Sequence, residues 1–433
     1  MEEWYERQTI GALPARAVRQ WGPREALAFQ GRRWTFAELS DRVDAVAKGL
    51  LRLGIAAGDK VALWMVNRPE WLDAMFAVMK IGAVLVPVNA RLRTDDMAYV
   101  LGQSDAVAMI LAARSGPVDY LGILREVAPA GGAKPAARFP ALRHVVVVSA
   151  DAHPGTVAWG SMLEDGRGVG DDALRARDAA VNPAQPAFFF YTSGTTGFPK
   201  AAVHDHRIVR NTWDQGERMR ITVDDVILMY LPLFHIFGFL HGALMSMIRG
   251  ARQVLTETFD ADECVELIER ERATVIHGFD THFRALLDAQ DKNPRDVSSV
   301  RTGICGTGMS SAIPIARRAR QTFGPLVTAY GMSEVGVPTF GFLDSRRSSA
   351  SRRTACHFPA ARCGSWTRTP AQSARRGRPA RSSCAATRSC SATTESRRRR
   401  RAPSTRTAGS TPATWACCVP TGTCTSSAAT RTC

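Results

Sequence analysis

The stretch YTSGTTGFPK, Tyr191 to Lys200, places two glycines, four Ser/Thr hydroxyls and a lysine within ten residues. Gly194 and Gly197 permit backbone conformations that are costly for other residues and let the chain approach a ligand closely. Thr192, Ser193, Thr195 and Thr196 add hydroxyl donors and Lys200 adds a point charge, a combination suited to a polyphosphate. The pattern is not a Walker A loop, because Phe198 and Pro199 follow Gly197 where that motif has Lys and Ser or Thr. The same composition also fits a plain surface turn after the apolar run AFFF. Farther along, LVTAYGMSE sets Tyr330, Ser333 and Glu334 just after a predicted strand, where α/β proteins collect ligand groups. An aromatic face, a hydroxyl and a carboxylate there could serve a purine ring, a phosphate and a magnesium ion; a capped helix start is the alternative.

The elements that must position these residues are legible as short β-branched runs alternating with amphipathic patterns. TFAELSDRVDAVAKGLLRLG opens on Thr35 with Glu38 three residues later, a capping-box spacing, and ends at Gly54. DKVALWMV then predicts a strand, RPEWLDAMFAVMKIG a helix with Pro69 in its first turn, and AVLVPVN the next strand. VILMYLPL, ARQVLTE, ATVIHGF and LVTAYG predict further strands, separated by helices such as DADECVELIERER. This order predicts an α/β protein with largely parallel sheets, and 433 residues predict two or more domains.

Charge and cysteine divide the chain near Ser345. After it come 18 arginines, no lysine and one acid, whereas the first 345 residues carry 38 bases against 39 acids. The formal net charge of +16 therefore belongs to the tail. Eight of the ten cysteines also lie there, leaving Cys264 and Cys305 in the body, a usage that predicts a reduced, cytoplasmic protein. The N-terminal residues contain acids and no apolar run, so no secretory signal is expected. Val226 to Ile248 is a 23-residue run without Asp, Glu, Lys or Arg. Pro232, His235, Gly238, His241 and Gly242 interrupt it, so it reads as a buried strand, loop and helix; no transmembrane span is predicted, and peripheral membrane contact stays open.

Together the motifs resemble those of the adenylate-forming, AMP-binding superfamily, in its fatty-acid-CoA ligase (acyl-CoA synthetase) branch. YTSGTTGFPKAAVHDH and, about 130 residues on, YGMSE carry the resemblance; GDKVALWMVNRPEW, KIGAVLVPVNARL, LPLFHIFGF and GICGTGMS support it in order, from about residue 8 to about 345. The resemblance implies a large N-terminal domain of stacked α/β subdomains with a small β-barrel portion, here residues 1–345. It implies that Thr192, Ser193, Gly194, Thr195, Thr196, Gly197 and Lys200 cover the β- and γ-phosphates of ATP. Gly306, Thr307 and Gly308 would lie along the adenine, Tyr330 would stack on it, Ser333 would contact the α-phosphate and Glu334 would hold Mg2+. His235, in PLFHIFG, would border the substrate carboxylate; read without the resemblance, it is a structural histidine. The implied reaction is attack of a small-molecule carboxylate on the α-phosphorus of ATP, loss of pyrophosphate, and transfer of the acyl group from AMP to coenzyme A. Positioning and charge neutralisation carry such chemistry. The apolar LPLFHIFGFLHGALMSM and VIHGFDTHF point to a fatty acid; aryl or amino-acid adenylation, and a catalytically dead nucleotide-binding remnant, are the alternatives.

The resemblance stops near Ser345, where Leu, Ile and Val almost vanish. Residues 346–433 cannot bury enough apolar surface to offset about 1 to 2 kcal/mol per residue of ordering entropy, so a disordered tail is expected. The superfamily's Thr-Gly-Asp segment, its hinge and its C-terminal lid domain are missing from the sequence as written. If TAGSTPATW, Thr407 to Trp415, is encoded ACG GCT GGC TCC ACA CCG GCG ACC TGG after a G, reading one base earlier yields Asp-Gly-Trp-Leu-His-Thr-Gly-Asp-Leu. The same displacement turns CSATT into Met-Leu-Gly-Tyr-Tyr and CTSSAATRTC into a hinge-like Tyr-Phe-Val-Gly-Arg-Tyr-Lys-Asp-Met. A frameshift near residue 345, genuine or a sequencing error, is therefore expected. It also accounts for the Arg and Cys surplus without a zinc site, since the tail has no CxxC and only His357, and without specific nucleic-acid binding.

Overall fold

Thr35 caps the helix Phe36–Arg52 as its spacing predicts: its side chain accepts from the Glu38 N–H, and the Glu38 carboxylate accepts from the Thr35 N–H at 2.7 Å. A computed structural model describes this helix within residues 4–128, 139–192, 199–307 and 310–343, together with the backbone of 364–366. The strands are β1 (Glu25–Phe29), β2 (Arg32–Thr35), β3 (Lys60–Trp64), β4 (Val84–Pro87), β5 (Ala106–Ala112), β6 (Arg114–Ser115), β7 (Val118–Asp119), β8 (His144–Val148) and β9 (Val157–Ala158). They continue as β10 (Pro186–Thr192), β11 (Lys200–Asp205), β12 (Val226–Met229), β13 (Arg252–Leu255), β14 (Val275–Phe279), β15 (Thr302–Gly306), β16 (Ala329–Met332), β17 (Gly336–Phe340) and β18 (Gly364–Trp366).

Two large sheets result, one ordered β15-β14-β12-β13-β1-β2 and the other β18-β11-β10-β4-β3-β5-β8-β9. Every pairing is parallel except β1 with β2 in the first and β10 with β11 and β11 with β18 in the second. The expected parallel α/β architecture is thus present. Its central strands β3 and β4 are buried on both faces, which is why they read as unbroken apolar runs. The antiparallel pairs β6–β7 and β16–β17 are what the described residues add in small β structure. Of the expected disordered tail, Gly364–Trp366 instead pairs with the edge of β11; the remainder of 346–433 lies outside the described residues.

The charge-free run 226–248 resolves into β12 and the helical turns Ile236–Gly238, Phe239–Leu244 and Met245–Arg249, the middle one π-helical. None of the helices among the described residues is long and apolar enough to cross a membrane. Gly238 is required here by close approach, since a Cβ would sit 2.3 Å from the Pro232 carbonyl oxygen. Phe239 then packs 4.5 Å from Phe188 and 5.4 Å from Phe190 on β10, joining this segment to the second sheet.

Two wholly buried imidazoles make the fold acid-sensitive. His206 accepts from the Ile10 N–H at 3.0 Å, and burial holds its pKa down to about 4; His241 is likewise held at about 4. In the unfolded chain both titrate near the ordinary ~6.5. Between those values the unfolded chain binds protons that the native chain does not, so stability is complete above pH 6.5 and falls as the pH drops toward 4. Each site accounts for a loss of about 3 kcal/mol. Urea midpoints measured from pH 7 to pH 4 should fall steeply, and His206→Asn, whose carbonyl can replace the lost acceptor, should flatten the fall.

Candidate nucleotide and acyl site

The strands β10 and β11 bring the two ends of the glycine-rich segment side by side, with Thr192 opposite Lys200 in register and the Thr192 hydroxyl donating to the Lys200 carbonyl at 3.3 Å. Lys200 is exposed at the start of β11. Both stems are tied to the helix Thr94–Ser104: the Tyr99 hydroxyl donates to the Pro199 carbonyl at 2.9 Å, and the Tyr191 hydroxyl donates to Gln103. Ser193, Gly194, Thr195, Thr196 and Gly197 lie outside the described residues. The AFFF run preceding them is a buried core strand.

In the first sheet, β12, β14 and β15 are parallel neighbours, so their carboxyl ends open on the same edge, the edge where such sheets take ligands. Gly306 ends β15 and Thr307 follows it; Gly308 lies outside the described residues. A Cβ on Gly306 would meet the Phe279 ring at 2.9 Å, so this glycine lets the aromatic ring lie against the strand end. Phe279 itself is 40% exposed.

Tyr330, Ser333 and Glu334 do not follow a parallel strand directly, nor do they start a helix. Val327 makes the expected parallel bridge, to Ile304, but the chain then turns antiparallel: Tyr330 lies within β16, and Ser333 and Glu334 occupy the turn into β17. The Val335 N–H closes that turn on the Met332 carbonyl at 3.2 Å. Tyr330 is 53% exposed, while Ser333 and Glu334 are half-buried. His204 of β11 reaches across to this turn, its Nε2 lying 2.6 Å from the Ser333 carbonyl oxygen.

His235 lies in the loop after β12, accessible at its surface. Its Nδ1 accepts from the Phe237 N–H at 3.2 Å, capping the following helical turn, and its ring stands 6.4 Å from Phe279. Protein on its remaining sides desolvates the imidazole and lowers its pKa, so it is neutral near pH 7. With Nδ1 accepting, the proton resides on Nε2. His235 thus has a structural role, as a cap, and this leaves its second nitrogen available. Phe237 lies 5.3 Å from Phe279, and together they form an apolar wall beside His235.

Asn67 fixes the loop that carries His235. Its buried amide donates to the Leu231 carbonyl at 3.0 Å and accepts from the Leu233 N–H at 2.8 Å. Asn67→Leu strands both backbone groups, which should cost about 2 to 6 kcal/mol at about 1 to 3 per buried group. Denaturant unfolding measures this loss; an unchanged midpoint would show that the clamp is dispensable.

The structure therefore puts Thr192 and Lys200 on one strand pair, and Gly306 and Thr307 at a strand end of the other sheet. His204 links the first group to Ser333, the Ile304–Val327 bridge links the second to Tyr330, and Phe279 links it to His235. Phe279 and Asn67 fall inside stretches whose motifs are visible in the sequence, but their contacts join segments that sequence order cannot pair. His204 also falls inside the stretch YTSGTTGFPKAAVHDH, where nothing in the sequence gives it a role, and Tyr99 carries no such signal. Among the described residues no group of three or more His, Cys, Asp or Glu could hold a metal ion. Glu334 offers a single carboxylate in the β16–β17 turn, and magnesium is commonly held by one or two carboxylates with phosphate oxygens and water completing its shell.

Comparison with known proteins agrees with this architecture. The chain is 34% identical over 331 residues to a Mycobacterium tuberculosis 3-[(3aS,4S,7aS)-7a-methyl-1,5-dioxo-octahydro-1H-inden-4-yl]propanoyl:CoA ligase, covering 76% of this chain and 62% of that protein. It is 30% identical over 349 residues to the medium-chain acyl-CoA ligase ACSF2, mitochondrial, of Mus musculus, covering 77% of this chain and 56% of that one. The chain thus spans somewhat over half the length of these relatives. Its fold matches the crystal structure of the anthranilate CoA ligase AuaEII in complex with anthranoyl-AMP with a TM-score of 0.67 at 20% identity, over 80% of this chain and 64% of that one. The profile described as AMP-binding enzyme matches residues 14–363, and the chain belongs to that family.

Proposed function

We propose that the chain activates a carboxylic acid with ATP, forming an acyl-adenylate and pyrophosphate, and passes the acyl group to the thiol of coenzyme A. The observation that carries this reading is the pair of links between segments that hold the candidate residues: His204 of β11, the strand that begins at Lys200, meets the Ser333 carbonyl, and Val327, just before Tyr330, bridges to Ile304 on the strand that ends in Gly306. A carboxylate is a poor electrophile because its leaving group would be oxide. Attack of its oxygen on the α-phosphorus expels pyrophosphate instead and leaves an acyl carbon whose leaving group is AMP. No protein nucleophile is needed.

In this reading Lys200 and the loop from Thr192 to Gly197 neutralise the β- and γ-phosphates as charge moves onto the departing pyrophosphate. Gly306, Thr307 and Gly308 line the adenine, Tyr330 stacks on it, and Ser333 contacts the α-phosphate. Glu334 holds magnesium, which supplies charge neutralisation between the phosphate oxygens. His235 borders the incoming carboxylate, its neutral imidazole offering an N–H rather than a full charge. The apolar wall of Phe237 and Phe279 favours a fatty acid, and the two buried free thiols, Cys264 and Cys305, suit a reducing cytoplasm.

Residues beyond about 345 are best explained by a displaced reading frame, which removes the ribose-binding Thr-Gly-Asp segment and the hinge. Turnover by the polypeptide as written should accordingly be low. Resequencing codons 335 to 433, then assaying carboxylate-dependent pyrophosphate exchange with fatty, aryl and amino acids on both the written and the frame-restored chains, tests both parts. Restored exchange with fatty acids supports the reading; robust turnover by the written chain refutes the impairment, and exchange with amino acids alone refutes the acyl assignment.

A further inference from the structure

We propose that His204 is a positioning residue that couples the strand leaving the phosphate loop to the turn carrying Ser333 and Glu334. The proposal rests on the nucleotide-site reading above and assigns a role to a side chain that reading leaves unused. His204 lies four residues after Lys200 on β11, so the strand's alternation puts the two on the same face of the sheet. Its register partner on β10 is Phe188, and two steps from each lie Ala202 and Phe190, then Lys200 and Thr192, all on that face.

The ring is fixed from below. Phe188, fully buried against Phe190 and Phe239, stacks on it at 5.0 Å with 16° between the planes. From this seat Nε2 meets the Ser333 carbonyl at 2.6 Å, across 129 residues of sequence. A backbone carbonyl only accepts, so the proton of the neutral imidazole resides on Nε2 and the bond is N–H to oxygen. Burial lowers the pKa of His204, opposed by the Ser333 carbonyl and by the charges of Asp205 and then Glu334, which agrees with a neutral donor facing this turn. Here the rigid β10–β11 pair that ends in Thr192 and begins at Lys200 also sets the height of Ser333. Phosphate-loop and magnesium-side residues thereby share one support.

The test measures binding rather than turnover, using the full chain. Titration calorimetry with ATP and with AMP, each with Mg2+ and with EDTA, is run on the wild type and on three variants. His204→Phe keeps a ring stacked on Phe188 and removes the N–H, His204→Leu removes the ring as well, and His204→Gln returns an N–H near the position of Nε2. A misplaced Ser333–Glu334 turn should weaken ATP binding in Mg2+ by about fivefold to tenfold in the Phe variant, the scale of one lost hydrogen bond. It should also erase most of the gain that Mg2+ gives, and weaken AMP, which keeps the α-phosphate assigned to Ser333 but lacks the phosphates that hold the metal, less than ATP. The Gln variant should recover ATP binding to within about twofold of wild type. If Phe does not fold, Leu supplies the same comparison with Gln. Equal losses for ATP and AMP, or a Phe variant indistinguishable from wild type, would overturn the coupling while leaving the nucleotide site intact. A wild-type chain that binds neither nucleotide overturns both.

Discussion

Glu334→Ala, made in the frame-restored chain, should lower carboxylate-dependent pyrophosphate exchange by at least about tenfold, and Lys200→Ala should do the same. The two losses should differ in kind. Glu334 sits half-buried in the turn between β16 and β17, and the role proposed for its carboxylate is to hold magnesium. Its removal should raise the Mg2+ concentration needed for half-maximal exchange. Lys200 is exposed at the head of β11, beside Thr192, and its ammonium needs no metal to meet a γ-phosphate. Its removal should leave the Mg2+ dependence in place and depress the rate across it. Exchange unchanged in either variant would refute the role assigned to that residue.

Tyr330→Ala should weaken ATP and AMP binding alike, by about 1 to 3 kcal/mol, the scale of stacking between a base and an aromatic side chain. The ring is 53% exposed and its hydroxyl faces only the Met332 sulfur, at 4.0 Å, so its loss costs the fold little. Tyr330→Phe should bind like the wild type, because the stacking face is kept. Equal affinities for wild type and Tyr330→Ala would show that the adenine lies elsewhere.

Local rules carried the sequence reading a long way. The Thr35 and Glu38 capping box, Pro69 at a helix start, and the apolar runs of β3, β4, β12 and β14 follow from propensity, capping and burial over a few residues. The 23-residue charge-free run was legible as buried structure because proline and glycine interrupt it. What escaped was set at long range. LVTAYGMSE has the composition of a strand entering a helix, yet Tyr330 enters β16 and pairs with Thr339 because the chain folds back at Ser333 to Val335. The clamp of Asn67 on residues 164 and 166 positions away, and the bond from His204 to Ser333, depend on how the two sheets meet. No periodicity within either segment encodes such a meeting.

The candidate residues were singled out as a set by the resemblance of YTSGTTGFPK and YGMSE to the AMP-binding motifs, since their composition alone also fits a surface turn and a capped helix start. Their arrangement was not legible. The structure supplies it by placing strand ends from both sheets around Gly306, Ser333 and His235.

The central claim is that this surface is an adenylate site joined to an apolar acyl wall. Titrating the full chain with a non-hydrolysable acyl-sulfamoyl adenosine carrying a saturated acyl group tests it most directly. The account predicts one saturable site that competes with ATP, weakens on Tyr330→Ala, and weakens again when the acyl group is removed. Absence of saturable binding, or binding indifferent to Tyr330 and to the acyl group, would contradict it.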